Sequence, residues 1–318
     1  MKSLSILLLL ATVGNTFAHN HENHKQSHNS RHTKHLTSKM MIKYQYSSML
    51  MENIGNDSGS LSTNEFFTET SFMMAPKKMT MKMHMLDFMY SLNGNTSFML
   101  MAPYKELEMT MVKKMGRSEV TSKSAGMGDI KLGTHSLLME HKLELLVLLS
   151  LPTGSITKED HSKRLGYKMQ LGSGSYGIDL GLKYLFELGN DWAVRPEVKL
   201  MTFLNDNSED YRLGNRYFYG VELSKAFGKS YEFALNYFHK TIDPLKSNED
   251  VMAMSPAIDP KSQHGNRDYL KTQFRYLGQG SLSKYELGLS YTIPLKQDLA
   301  GYQLREQNKF SMNLIRFF

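Results

Sequence analysis

Residues 175–186 read SYGIDLGLKYLF and alternate with a period of two. Tyr176, Ile178, Leu180, Leu182, Tyr184 and Phe186 fall on one face, and Gly177, Asp179, Gly181 and Lys183 on the other. A strand points successive side chains to opposite sides, so this stretch has an apolar face tipped by aromatic rings and a polar face. A transmembrane β-barrel needs that pattern, with rings at the two membrane interfaces and polar groups inside. A soluble β-sandwich also alternates, so the decision rests on what surrounds the stretch.

The same pattern recurs along the chain. In WAVRPEVKLMTF (192–203), Trp192, Val194, Val198 and Leu200 oppose Arg195, Glu197 and Lys199. Tyr231, Phe233, Leu235 and Tyr237 oppose Glu232 and Asn236. Tyr285, Leu287, Leu289, Tyr291 and Ile293 oppose Lys284, Glu286 and Ser290. Connections at 92–95, 188–191, 227–230 and 277–280 read as tight turns, and those at 51–76, 152–168, 205–214 and 243–267 as long loops. Outer-membrane barrels keep short turns at the periplasm and long loops outside. If all tight turns share one end, an even number of strands separates each pair. Strands near 38–50, 77–90, 95–115, 120–134, 137–150, 170–187, 192–203, 215–227, 231–243, 268–278, 282–293 and 306–318 satisfy this, provided that 95–115 is one strand running through Pro103. The expectation is an all-β, antiparallel transmembrane barrel of about twelve strands. The ending FSMNLIRFF (310–318) resembles the C-terminal signal of bacterial outer-membrane proteins, although Arg316 stands where another apolar residue is expected.

Composition is consistent with this. The first 18 residues, MKSLSILLLLATVGNTFA, carry Lys2, an apolar run and small residues at Thr16 and Ala18, which predicts a signal peptide cleaved after Ala18. Residues 19–37 then form a flexible histidine-rich tract, and 38–318 the barrel. Cysteine is absent from the 318 residues, so an exported product would hold together without disulfides, as a closed sheet can. The apolar stretch LELLVLLSLP (143–152) is too short for a spanning helix and contains Glu144. The formal charge of +7 suggests contact with anionic surfaces such as lipopolysaccharide, and no nucleic-acid motif is present. No GxSxG elbow, HExxH or phosphate-binding loop occurs, which speaks against an enzyme. LPTGS (151–155) resembles a sorting string but lacks the hydrophobic tail, and Ser155 with His161 is the sole serine–histidine pair near an outer loop. The glycines at 172–177 read as wall glycines that relieve crowding.

Several phrases carry a family resemblance: MAPKKMTMKMHMLDFMYSLNGNTSFMLMAPY (74–104), SAGMGDIKLG (124–133), LSLPTGSI (149–156) and MQLGSGSYGIDLGLKY (169–184). They resemble a family of bacterial outer-membrane proteins, described as transporters and linked by name to the meta-pathway of phenol degradation. The methionine-rich block resembles a subgroup associated with metal-rich settings. The resemblance implies a barrel and a transport role for small solutes, including hydrophobic or aromatic compounds. It brings no catalytic residues.

Seventeen of the 24 methionines lie between Met40 and Met127, which makes the bias local. Met79, Met81, Met83, Met85 and Met89 share a strand face with Asp87, and Met99 and Met101 share a face of the next strand. Placing the aromatics Phe88, Tyr90, Phe98 and Tyr104 towards lipid turns this methionine face to the lumen and leaves Lys82 and His84 on the lipid side. Thioethers suit Cu(I), so Met79, Met81, Met83, Met85, Met99 and Met101 are candidate soft-metal ligands. Methionine is also an adaptable apolar filler, which is the plainer reading. His19, His21, His24, His28, His32 and His35 fall within 17 residues and could hold Cu, Zn or Ni labilely, or simply form a solvated linker. No cofactor is required on this reading. Asp179, Lys183, Arg195, Glu197, Lys199, Glu222, Lys271, Arg275, Lys284 and Glu286 are the expected polar lining, with charges of both signs. Three functions follow: a narrow or obstructed channel for small solutes in the outer membrane, a metal-binding outer-membrane protein, or a structural barrel without a ligand.

Overall fold

The computed structural model describes residues 38–318 apart from 57–58, 161 and 248–252. The expected signal peptide and the histidine tract therefore lie outside the described residues, as does His161. Twelve antiparallel strands form one closed sheet. They are β1 (Met40–Asn56), β2 (Met74–Ser91), β3 (Thr96–Lys113), β4 (Glu119–Met127 and Ile130–Leu138), β5 (Leu143–Leu151) and β6 (Gly177–Tyr184 and Phe186–Gly189), followed by β7 (Trp192–Phe203), β8 (Arg216–Phe227), β9 (Tyr231–Ile242), β10 (Gly265–Leu277), β11 (Tyr285–Leu299) and β12 (Gln303–Phe317). Each pairs with the next, and β12 returns to β1 with Met41 opposite Phe317 and Ser47 opposite Ser311. Closure leaves no unpaired edge, as a sheet in hydrocarbon must.

Alternation decides which side each residue takes. Leu180, Leu182, Val198, Phe233, Leu235 and Leu289 are exposed on the outer surface. Phe186, Trp192, Phe227, Tyr231 and Phe318 ring the short-turn end, and Tyr104, Tyr176, Tyr217 and Tyr291 lie towards the long-loop end. Arg316, the interruption in the C-terminal pattern, projects outward at the short-turn rim with its guanidinium 4.5 Å from the Phe318 ring centre and 5.7 Å from that of Tyr285. A cation is acceptable there because it stacks on rings and reaches interfacial water. Leu180 sits midway between the two rings of aromatics. Leu180→Arg is expected to cost about 2–4 kcal/mol of barrel stability in lipid, and unfolding titrations in vesicles would measure it.

β3 runs unbroken through Pro103, as the strand count required. Proline cannot donate to the ladder, and the neighbouring β4 is interrupted beside it at Gly128–Asp129, where the Gly128 N–H donates to the Pro103 carbonyl at 2.8 Å. Several boundaries differ from expectation, and β1 runs on to Asn56, past residue 50, after which the long loop was expected to begin. The β4–β5 turn lies at 139–142, later than the 135–136 expected, and Met139, Glu140 and His141 all adopt positive φ of 50–69°. β6 begins at Gly177, not 170. β11 and β12 run on to Leu299 and back from Gln303, so their connection is a tight turn around Gly301 (φ 63°). The loop after β1 carries a short helix, α1 (Thr63–Glu69), capped reciprocally by Ser62 and Glu65; it buries Phe66 and Phe67 against Ile54, Ala75 and Val112.

Candidate functional site

The site is the lumen. β1, β2 and β3 place Met49, Met51, Met79, Met81, Met83, Met85, Met109 and Lys105 on the inner face, in register as neighbours: Met49 opposite Met81, Met51 opposite Met79, and Met79 opposite Met109. The loop between β5 and β6 turns inward on to this wall. A single 3-10 turn at Tyr167–Met169 inserts Met169 and Leu171, both 1% exposed, against Met51, Met79, Leu107, Met109 and Leu304. Close backbone approach holds the loop: a Cβ on Gly172 would stand 2.3 Å from the Gly154 carbonyl oxygen, and Gly174 has φ 68°. The Asp129 carboxylate, in the gap of β4, accepts from the backbone N–H of Gly154 (3.0 Å) and of Ser173 (2.7 Å), and from the Ser173 hydroxyl (2.7 Å). The 172–177 glycines, expected as wall glycines, thus serve largely to seat this inward loop. An apolar insert next to strand text continues its alternation, which is why the sequence reads as a strand from 170.

Below and beside the insert lie two cavities of about 390 Å³ each. The upper one is bounded on one side by Met49, Met81, Met83 and Met85, with Met201 and Phe203. Its other lining groups include six cations, Lys105, Lys131, Lys168, Arg216, Lys240 and Arg267, and two carboxylates, Asp129 and Glu306. Lys131 is paired with Asp179. Glu306 accepts from the Tyr269 hydroxyl at 2.6 Å and lies 3.5 Å from Arg267 and 3.8 Å from Lys240. Lys168 comes from the inward loop and donates to Gln303 Oε1 at 3.0 Å. Burial first, and then the Arg267 charge, push its ammonium down to about 7.

The lower cavity is more evenly charged. Glu222 accepts from Arg195 Nη1 at 2.8 Å, with Arg275 at 3.4 Å and Lys183 at 3.6 Å; Glu232 pairs with Arg275 and lies 3.8 Å from Arg195. Glu197 holds Lys199 at 3.1 Å, and Lys43 holds the fully buried Asp87 at 2.9 Å. Of the sequence-assigned lining, Asp179, Lys183, Arg195, Glu197, Lys199, Glu222, Lys271, Arg275 and Glu286 are on the inner face. Lys284 is not: it is exposed in the turn before β11, its carbonyl accepting the Phe317 N–H. Strand alternation ends where the turn begins, so its period no longer assigns a side. Lys168, Lys240, Arg267 and Glu306 were missed. Lys240 and Arg267 share the inward parity of their strands and could have been read; Glu306 is brought inward by a register shift in β12, between the partners of Leu50 and Met51, and Lys168 belongs to a loop, so neither carries such a signal.

The six candidate methionines divide into two groups. Met79 is buried under the inward loop, and Met81, Met83 and Met85 face the upper cavity. Met99 packs at the lower end with Met41, Met89, Ile315 and Phe317, and Met101 stands opposite Asp87 and Lys131. Among the described residues no group of three or more His, Asp or Glu side chains could hold a metal ion. His84 faces outward at the upper aromatic ring, its Nδ1 2.7 Å from the Tyr44 hydroxyl, and the Lys82 ammonium is exposed one step further out, with Glu106 opposite it in register.

No protein-family model matches the sequence, nor does any curated protein sequence. Solved structures do match. The crystal structure of the COG4313 outer membrane channel from Pseudomonas putida F1 aligns with a TM-score of 0.63 at 15% identity, over 88% of this chain and 96% of that one. The fold is shared with an outer-membrane channel. The β domain of the Bordetella autotransporter BrkA aligns at 0.52 and 10% identity, over 88% of this chain and all of that one. Identities this low carry the architecture and nothing about solute. The first of these is an outer-membrane channel, and a membrane setting agrees with the apolar, ring-bordered outer surface of this barrel.

Proposed function

We propose that this protein is a passive outer-membrane channel for small solutes with an apolar or aromatic body, set among lipopolysaccharide and outer-membrane lipid. The observation that carries the reading is the closed barrel enclosing two lumenal cavities, the upper one walled on one side by methionine and phenylalanine. Similarity in fold to the COG4313 channel supports it. The inward loop makes the passage narrow, so traffic would be limited to small molecules. No cofactor is part of this reading. Binding of Cu, Zn or Ni by the histidine tract would be a separate property, read by titration with and without residues 19–36.

The test compares the intact barrel with one in which Tyr167 to Leu171 is replaced by glycine and serine, both reconstituted in planar bilayers and in vesicles. The intact protein is expected to pass small neutral aromatics into vesicles with little ionic conductance. The variant is expected to conduct ions readily, since a twelve-stranded barrel is wider than an eight-stranded one that side chains fill. Absence of both fluxes from both proteins would leave a structural barrel.

A further inference from the structure

The upper cavity has an imbalance that its own residues do not resolve. Arg267 is 3% exposed; its Nη2 donates to Gln303 Oε1 at 3.2 Å, its Nε has Glu306 at 3.5 Å, and its Nη1 has no partner among the described residues. Arg216 Nε on β8 is likewise buried without an acceptor. Asp129 is occupied by the inward loop, and Asp179, which faces Arg216, is already paired with Lys131, which leaves Glu306 to face Lys168, Lys240 and Arg267. Cations gathered away from bulk water repel one another and lose hydration, so such a cluster favours an added anion. Across the lumen stands the thioether wall of β2, six strands round the barrel from β8. It has no charge to satisfy and an unbranched surface that conforms to an apolar body. A cavity of about 390 Å³ is within the ordinary range for small-ligand sites.

We propose that the upper cavity binds an organic carboxylate with a compact apolar or aromatic body. The carboxylate sits on Arg267 and Lys240, with Lys168 alongside, and the body lies against Met81, Met83 and Met85. A guanidinium presents a fork that matches a carboxylate, and an unpaired Nη1 is the donor it would take. This deepens the channel reading, since it names the class of solute that the same lumen would select.

The test is fluorescence titration of the full barrel in detergent with 2-naphthoate, the neutral 2-naphthol, and 2-naphthoate in the presence of sodium chloride or inorganic phosphate. Naphthoate is expected to bind at least about ten-fold more tightly than naphthol, the equivalent of one charge-assisted contact. Arg267→Gln and Lys240→Gln are each expected to remove that preference, and Met83→Ser to weaken both ligands alike. Heat-modifiable gel mobility reports whether each variant is still a barrel, and Lys240→Gln keeps the test open if Arg267→Gln does not fold. Equal affinity for the two ligands, or a preference that survives both substitutions, would overturn the proposal. So would displacement of naphthoate by phosphate at equal concentration, which would make this a site for inorganic anions. Naphthoate binding without flux of either naphthoate or naphthol would defeat the channel reading alone; flux without naphthoate preference would defeat this site alone.

Discussion

Glu222→Ala is expected to destabilise the barrel by about 3–5 kcal/mol, the cost of stripping one partner from a buried charge pair. Glu222 is 3% exposed, and three cations from three strands converge on it: Lys183 from β6, Arg195 from β7 and Arg275 from β10. Removing the carboxylate leaves Glu232 as the remaining ion-pair partner of Arg195 and Arg275, with Glu286 and Glu144 further from Arg275, so like charges meet in the lower lumen. Unfolding by urea, followed through Trp192 fluorescence, gives the number. Glu222→Gln should lose less, because it still accepts from Arg195. A loss below about 1 kcal/mol would mean that the pairs are solvated like surface ones. The same substitution should shift permeation towards anions, because fixed charge of one sign lining a constriction selects the other.

Met79 separates packing from ligation. It is fully buried among Met51, Met109, Met169 and Leu171. As filler it should tolerate Met79→Leu at a cost under about 1.5 kcal/mol, whereas Met79→Ala should cost about 2–5 kcal/mol through the space it opens beneath the inward loop. If the thioether acted as a ligand, leucine and alanine would abolish metal binding alike. Thermal unfolding and Cu(I) titration of the two variants together discriminate. A leucine variant as unstable as the alanine one would show that sulfur, and not volume, matters at this position.

How much could be read from the chain alone depends on the residue. Leu180, Val198, Phe233 and Leu289 announce their outward positions because alternation is enforced wherever one face meets lipid. Arg195, Glu222 and Arg275 follow from the same parity, and even the passage of β3 through Pro103 follows from requiring all short turns at one end. Other positions carried no usable signal. Met139, Glu140 and His141 make a turn without glycine, proline or asparagine, by taking positive φ in three successive side-chain-bearing residues. Met169, Leu171 and Ser173 continue the period of β6 backwards into a segment that leaves the wall. Pattern cannot distinguish a strand face turned to lipid from an apolar insert turned into the lumen, since both bury the same residue types. The charge excess around Arg267 is also invisible in one dimension, because it is assembled from β8, β9, β10, β12 and a loop.

The pairing of β1 with β12 fixes the order of assembly. Met41 waits for Phe317, Ser47 for Ser311 and Leu50 for Asn308, partners separated by nearly the whole chain. Until the last strand is delivered, β1 presents a free row of amides and carbonyls, the template on which other chains could grow. Closing so long a loop is slow compared with forming the hairpins between β2 and β3 or β8 and β9, so most of the sheet should exist as an open ribbon before the ring shuts. A protein built this way depends, during export, on something that holds that first edge apart from its neighbours.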